Sequence, residues 1–138
     1  MTTINEKILI SSKGFNDLID LTLKVQNFIA NSNCNNGLVN VTVCASTASI
    51  ITLEYEPGLV KDLPKLFESL VPINTLYEHD LSWHDGNGYA HLRAAMLGNN
   101  ITLPIINGKI ELNTWQRIIL IDFDNKASTK EIVISIIN

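Results

Sequence analysis

Ile101-Thr-Leu-Pro-Ile-Ile-Asn-Gly-Lys-Ile-Glu-Leu112 is the stretch on which the fold turns. Asn107-Gly108 supplies the two positive φ angles that a type I′ turn requires, so Ile101 to Ile106 and Lys109 to Leu112 read as a β-hairpin. Downstream, Thr114 to Phe123 and Glu131 to Ile137 read as two further strands, joined through Asp124-Asn-Lys-Ala-Ser128. Ile118, Leu120 and the closing Val133-Ile-Ser-Ile-Ile137 have the apolar density of buried strands. Four strands in succession leave no place for intervening helices, which argues against an alternating α/β chain.

Moving upstream, Gly88 to Leu97 reads as a short helix whose Ala90, Ala94 and Ala95 permit close backbone approach, with Gly98 as a left-handed cap. Before it, Pro72 to Asn87 is a long connection, the kind more often functional than decorative. Glu56-Pro57-Gly58 opens a helix from Leu59 to Leu70 with Leu59, Leu63, Leu66, Phe67 and Leu70 on one stripe. Pro64 should kink or split that helix, because it lacks an amide donor. Ile50 to Glu54 and Leu38 to Ala45 read as strands, the latter with Val39, Val41 and Val43 on one face and Cys44 as a small core residue. Asn31 to Gly37 is a polar turn. Phe15 to Ala30 shows a helical stripe of Leu18, Leu21, Val25, Phe28 and Ile29, and Ile4 to Ser12 alternates as a first strand. The order β-α-β-β-α-α-β-β-β-β predicts one α+β domain over residues 1–138, with a mixed or antiparallel sheet and about three helices.

The 138 residues suffice for one substantial core. A formal net charge of −4, with no cluster of Lys and Arg, argues against a general nucleic-acid binder. The apolar runs are too short to span a bilayer, and the first residues lack the blocks of a signal peptide, so the expectation is a cytoplasmic protein with no membrane partner. Cys34 and Cys44 have no metal spacing and read as free thiols.

Tyr77 to Gly98 concentrates the chemistry. His79, His84 and His91 are the chain's three histidines, all within this run, with Glu78, Asp80 and Asp85 beside them. Imidazole is the side chain suited to proton transfer or metal ligation near neutral pH, and Asp80 is adjacent to fix the His79 tautomer. A helix beginning near Asn87 would offer amides and a partial positive charge to a phosphate, with His91 and Arg93 adding charge. The alternative is that Asn87 only caps the helix and His91 lies on the surface. Ser46, Thr47 and Ser49 offer hydroxyls beside a strand end, or satisfy local backbone. Trp115 and Gln116 open a strand, where tryptophan serves as core or interface.

Ser46-Thr-Ala-Ser-Ile50, Glu54 with Glu56-Pro-Gly-Leu59 and Asp62-Leu63, Tyr77-Glu-His-Asp80, Asn87-Gly-Tyr-Ala-His-Leu92, Met96-Leu-Gly98, Leu103-Pro104 with Asn107-Gly108-Lys109, and Asn113-Thr-Trp-Gln116 together resemble the YjbQ-type family of secondary thiamine-phosphate synthase-like proteins. The resemblance covers nearly the whole chain. It implies an α+β subunit assembling as a homotrimer, with the polar blocks gathered in one pocket near a subunit boundary. The activity it implies joins a hydroxymethylpyrimidine diphosphate to a thiazole phosphate and releases pyrophosphate, so the partner is a phosphorylated small molecule. By the same resemblance Glu54, His79, Asp80 and His91 are the catalytic candidates. Asp80 orients His79, while Ser46, Thr47, Asn87, Trp115 and Gln116 bind substrate. His79 and His91 are candidate ligands of a divalent metal, zinc or magnesium. One departure stands out: the family usually carries histidine in a His-Thr-Thr-Ala or His-Thr-Ser-Ala block where this chain reads Ala45-Ser-Thr-Ala48. That departure implies weak or altered chemistry, or a non-catalytic trimeric ligand-binding or structural member of the same family. His84 is the one spare imidazole that could fill in.

Overall fold

The computed structural model describes residues 1–138. The elements run β1 (Thr3–Ser12), β2 (Asp17–Asp20), α1 (Thr22–Ser32), β3 (Asn36–Val43), β4 (Ala48–Glu54), α2 (Pro57–Leu70), α3 (Glu78–Trp83), α4 (Gly88–Leu97), β5 (Asn100–Ile106), β6 (Lys109–Ile110), β7 (Gln116–Asp122) and β8 (Ser128–Ile137). They form a single α+β domain with two sheets, ordered β1-β8-β3-β5-β6 and β2-β7-β4, and every strand pair is antiparallel.

The unbroken apolar run Ile118 to Ile121 shows how the layers stack. Alternate side chains of a strand face opposite ways. Ile118 and Leu120 join the core shared with Val39, Val41, Val43, Ile132, Ile134, Ile136, Leu21 just before α1, and Val25 and Ile29 of α1. Ile119 and Ile121 join the core made with Phe67 of α2 and Tyr89, Ala90 and Ala94 of α4. The three-stranded sheet is therefore covered on both faces, which is why β7 carries no polar alternation. No helix is long and apolar enough to cross a membrane.

Several local expectations hold. Asn107 and Gly108 have φ of 51° and 74°, as the type I′ turn demands, although the returning strand β6 is only Lys109–Ile110. Others are corrected. The helix expected from Phe15 begins at Thr22, because Phe15 and Asn16 take left-handed φ of 54° and 63° and Asp17–Asp20 pairs with β7. A fourth helix, α3, occupies part of the connection from Pro72 to Asn87. Helix α2 starts at Pro57, capped by the Glu56 carboxylate, and runs past Pro64 without a break. Gly98 has φ 84° but an extended ψ of 166°, so it ends α4 with positive φ rather than in the left-handed helical well. Cys44 lies just beyond β3 and is exposed, whereas Cys34 is the buried thiol.

Candidate functional site

Small residues set the site's base. Ala90 and Ala94 let α4 press onto β4, and Ser49 Oγ donates to the Ala94 carbonyl at 3.1 Å, fixing helix against strand. His91 sits three residues before Ala94, and side chains at that spacing share a helix face. It thus lines a cavity of about 410 Å³ together with Ala45, Ser46, Ala48 and Asn99. Its other flank borders a second cavity of about 470 Å³ with Tyr77, Glu78, His79 and Gly88. Helix α3 brings His79 alongside: the two imidazole centroids are 4.4 Å apart and the rings are tilted by 49°. The structure therefore joins His79, His91 and Ser46 in one region, with Ala45 in the wall and Cys44 outside it.

Asp80 does not orient His79. Successive residues on a helix point about 100° apart, so the carboxylate next in sequence faces elsewhere. Asp80 Oδ1 instead accepts from the Gly88 amide at 2.9 Å, tying α3 to the start of α4. Asp85 takes the expected place, with Oδ1 3.3 Å from His79 Nε2. The approach is off the hydrogen-bond line, and Nε2 is a buried atom with no formed hydrogen bond.

The start of α4 is not an open phosphate site either, since the Asp80 carboxylate already holds the Gly88 amide. Arg93 adds no charge there. It is fully buried and committed to Val71, Asn16 and Glu68. Asn87 supports His91 through the backbone alone, its carbonyl accepting from Ala90 N at 2.8 Å and His91 N at 3.4 Å. Its side-chain amide donates to Asp124 Oδ1 at 3.2 Å. Thr47 is buried, and its carbonyl accepts from Phe123 N at 2.9 Å. His84 is exposed at the left-handed end of α3 and lines neither cavity that His91 borders.

Joined to Asn87 through Asp124 lies a buried polar group that sequence reasoning missed. Lys130 Nζ stands 3.5 Å from Asp122 Oδ1 and 3.7 Å from Asp124 Oδ2, and all three residues are buried. Burial alone would raise the Asp124 carboxyl. The Asn87 amide, the Asn125 N–H and the Lys130 ammonium outweigh it and hold the group below its usual 3.8. Burial pushes the Tyr89 phenol above 10.0, against the nearby Arg93 charge and helped by Asp124 and Asp122, so it stays neutral. The readable signal was Asp122-Phe-Asp124, two acids ending an otherwise apolar strand.

Glu54, Trp115 and Gln116 lie elsewhere in the chain. Glu54 pairs with Gln116 at one end of the small sheet, while Ala48 pairs with Asp122 at the other. Six residue steps of strand separate the two ends, about 20 Å. Trp115 is 67% exposed. The Gln116 side-chain oxygen accepts from Asn113 N at 2.8 Å, beside a cavity of about 250 Å³ that Arg117 also lines. No three His, Cys, Asp or Glu side chains, the group of His79, His91 and Asp85 included, are arranged so that they could hold a metal ion, so the chain by itself does not fit zinc or magnesium.

Comparison with known proteins agrees with the whole-chain extent of this architecture. The model of the family described as UPF0047 protein YjbQ-like matches residues 6–138. A UPF0047 protein of Archaeoglobus fulgidus is 37% identical over 117 residues, covering 85% of this chain and 89% of its own. One from Methanothermobacter thermautotrophicus is 38% identical over 114 residues, covering 83% and 78%. Among solved structures, a YbjQ-like protein of unknown function from Sulfolobus solfataricus superposes with a TM-score of 0.92 at 30% identity, covering 98% of this chain and 96% of that one.

Proposed function

The chain belongs to the UPF0047 YjbQ-like family, and from that premise we propose that it is a transferase of the secondary thiamine-phosphate synthase type, weakened by alanine at position 45. The observation that carries this reading is the imidazole pair, two rings 4.4 Å apart with His91 in the wall of a cavity of about 410 Å³. In the reaction a thiazole ring nitrogen attacks the methylene carbon of hydroxymethylpyrimidine diphosphate. The carbon–oxygen bond breaks, and pyrophosphate leaves with the bonding electrons. The imidazolium of His91 gives its proton to the departing oxygen, with His79 packed against it and Ser46 donating to phosphate.

Leaving-group charge also needs a cation, and the cavity beside Ala45 has none besides His91. The proposal supplies it by assembly. Glu54, Trp115 and Gln116, with Arg117 next to them, come from the far end of a neighbouring copy. A head-to-tail contact of that kind closes into a ring, here a homotrimer.

The test is thiamine-phosphate formation from the two precursors by the native chain, His91→Ala and Ala45→His. We expect His91→Ala to lose activity and Ala45→His to gain it, each by about 10²–10⁴-fold. Equal background rates in all three overturn the transferase reading. Alanine in the cavity wall at position 45 favours a second reading, a trimeric ligand-binding member without chemistry, which predicts that outcome together with retained pyrophosphate binding.

A further inference from the structure

The loop between β7 and β8 reaches across to the site at two points. Asn125 Nδ2 donates to the Asp85 carbonyl at 2.7 Å, and Asp124 Oδ1 accepts from Asn87 Nδ2 at 3.2 Å. These two bonds hold both ends of the short turn Asp85-Gly86-Asn87, which links α3 to α4 and therefore separates His79 from His91. The turn is tight, since Gly86 has φ +67°, and a Cβ there would come within 3.7 Å of Asn125 Nδ2. The loop is itself anchored from below by Lys130 between Asp122 and Asp124. Nothing else in the structure faces His79 Nε2 with a charge as near as Asp85 Oδ1, 3.3 Å away.

We infer that Asp85, held in place by Asn125, is the positioning residue of the imidazole pair: it fixes which His79 nitrogen carries the proton and how that ring lies against His91. A carboxylate facing one imidazole nitrogen selects the tautomer with hydrogen on that nitrogen. The 3.3 Å approach becomes a hydrogen bond by a small rotation of either side chain, and the inference is that the free protein makes that rotation in solution. This inference rests on the imidazole pair being the working part of the proposed site, but its test does not depend on turnover.

The experiment records ring nitrogen NMR signals of His79, His84 and His91 in the native chain, Asp85→Ala, Asp85→Asn and Asn125→Ala. Asp85 is exposed and Asn125 half-buried, so these variants should fold. In the native chain His79 should show a single tautomer with hydrogen on Nε2. Asp85→Ala and Asn125→Ala should move His79 to the mixed pattern of free imidazole, Asp85→Asn should keep part of the native pattern, and His84 should not change. Native-like His79 signals in Asp85→Ala overturn the inference. If the native chain makes no thiamine phosphate but the signals move as stated, the transferase reading falls and the positioning role stands.

Discussion

Arg93 heads the fully buried side chains by size, and its charge works entirely inside the fold. Nε and Nη2 donate to the Val71 carbonyl at 3.0 and 2.7 Å, Nη1 to Asn16 Oδ1 at 3.0 Å, and Nη2 to Glu68 Oε2 at 2.9 Å. The guanidinium also lies 5.1 Å from the Tyr89 ring centroid. One side chain thereby ties the end of α2, the bend after β1 and the body of α4. Lysine keeps the charge but not the planar fork. Arg93→Lys should lower the unfolding free energy by about 1–3 kcal/mol, the cost of buried acceptors left unpaired. Urea denaturation would show it as a lower midpoint at unchanged slope. In the sequence Arg93 looked like part of the site because it follows His91 by two positions. Two helical steps rotate a side chain by about 200°, to the opposite face. Asp80 misled for the same reason. Residue types pointed to the right segment, but direction came only with the helices.

Elements encoded by local chemistry were legible, and those set by partners were not. Asn107-Gly108 carries its own turn, and the alternation of Val39, Val41 and Val43 carries its own strand. By contrast, Leu18 and Leu21 fit a helical stripe equally well whether Leu18 belongs to the helix or to a strand before it. The structure chose strand because Leu18 and Ile19 pair with Ile121 and Leu120, and because Phe15 N donates to the Asp124 carbonyl at 2.7 Å. Helix α3 has no buried residue and hence no stripe to read. The β7–β8 loop reads in sequence only as a connection, yet it carries a pH dependence. Folding depresses the Asp124 carboxyl, so below pH about 4 the unfolded chain takes up a proton that the folded chain still refuses. Stability is full above that range and falls as pH drops through the folded value. Denaturation midpoints measured from pH 6 downward should show a smaller slope in that window for Asp124→Asn than for the native chain.

At the scale of the molecule, the proposed homotrimer, in which Glu54 of one copy would serve the histidines of another, makes a prediction about assembly. His91→Ala and Glu54→Ala should each be inactive alone. Unfolded together in equal amounts and refolded, they should regain about a quarter of native activity, because one junction in four pairs two intact halves. No recovery, with mixed assemblies verified by mass, would mean that each copy works alone. Family membership and the α+β class were within reach of the sequence, since both depend on motif order and hydrophobic pattern, whereas the division into two sheets was not. The distance between Glu54 and the histidines was not, because it depends on how β4 is laid against α4.

The placement of β8 has a consequence for biogenesis. This last strand lies between β1 and β3, pairing with β1 from Thr3↔Ile137 to Ser12↔Ser128 and with β3 from Leu38↔Ile137 to Val43↔Ile132. β1 has no other strand neighbour. While the chain emerges from the ribosome, both strands wait with bare edges until the ten residues of β8 thread between them. The nascent chain therefore cannot close its larger sheet before β8 has been made, and that interval is when chaperones have most to guard.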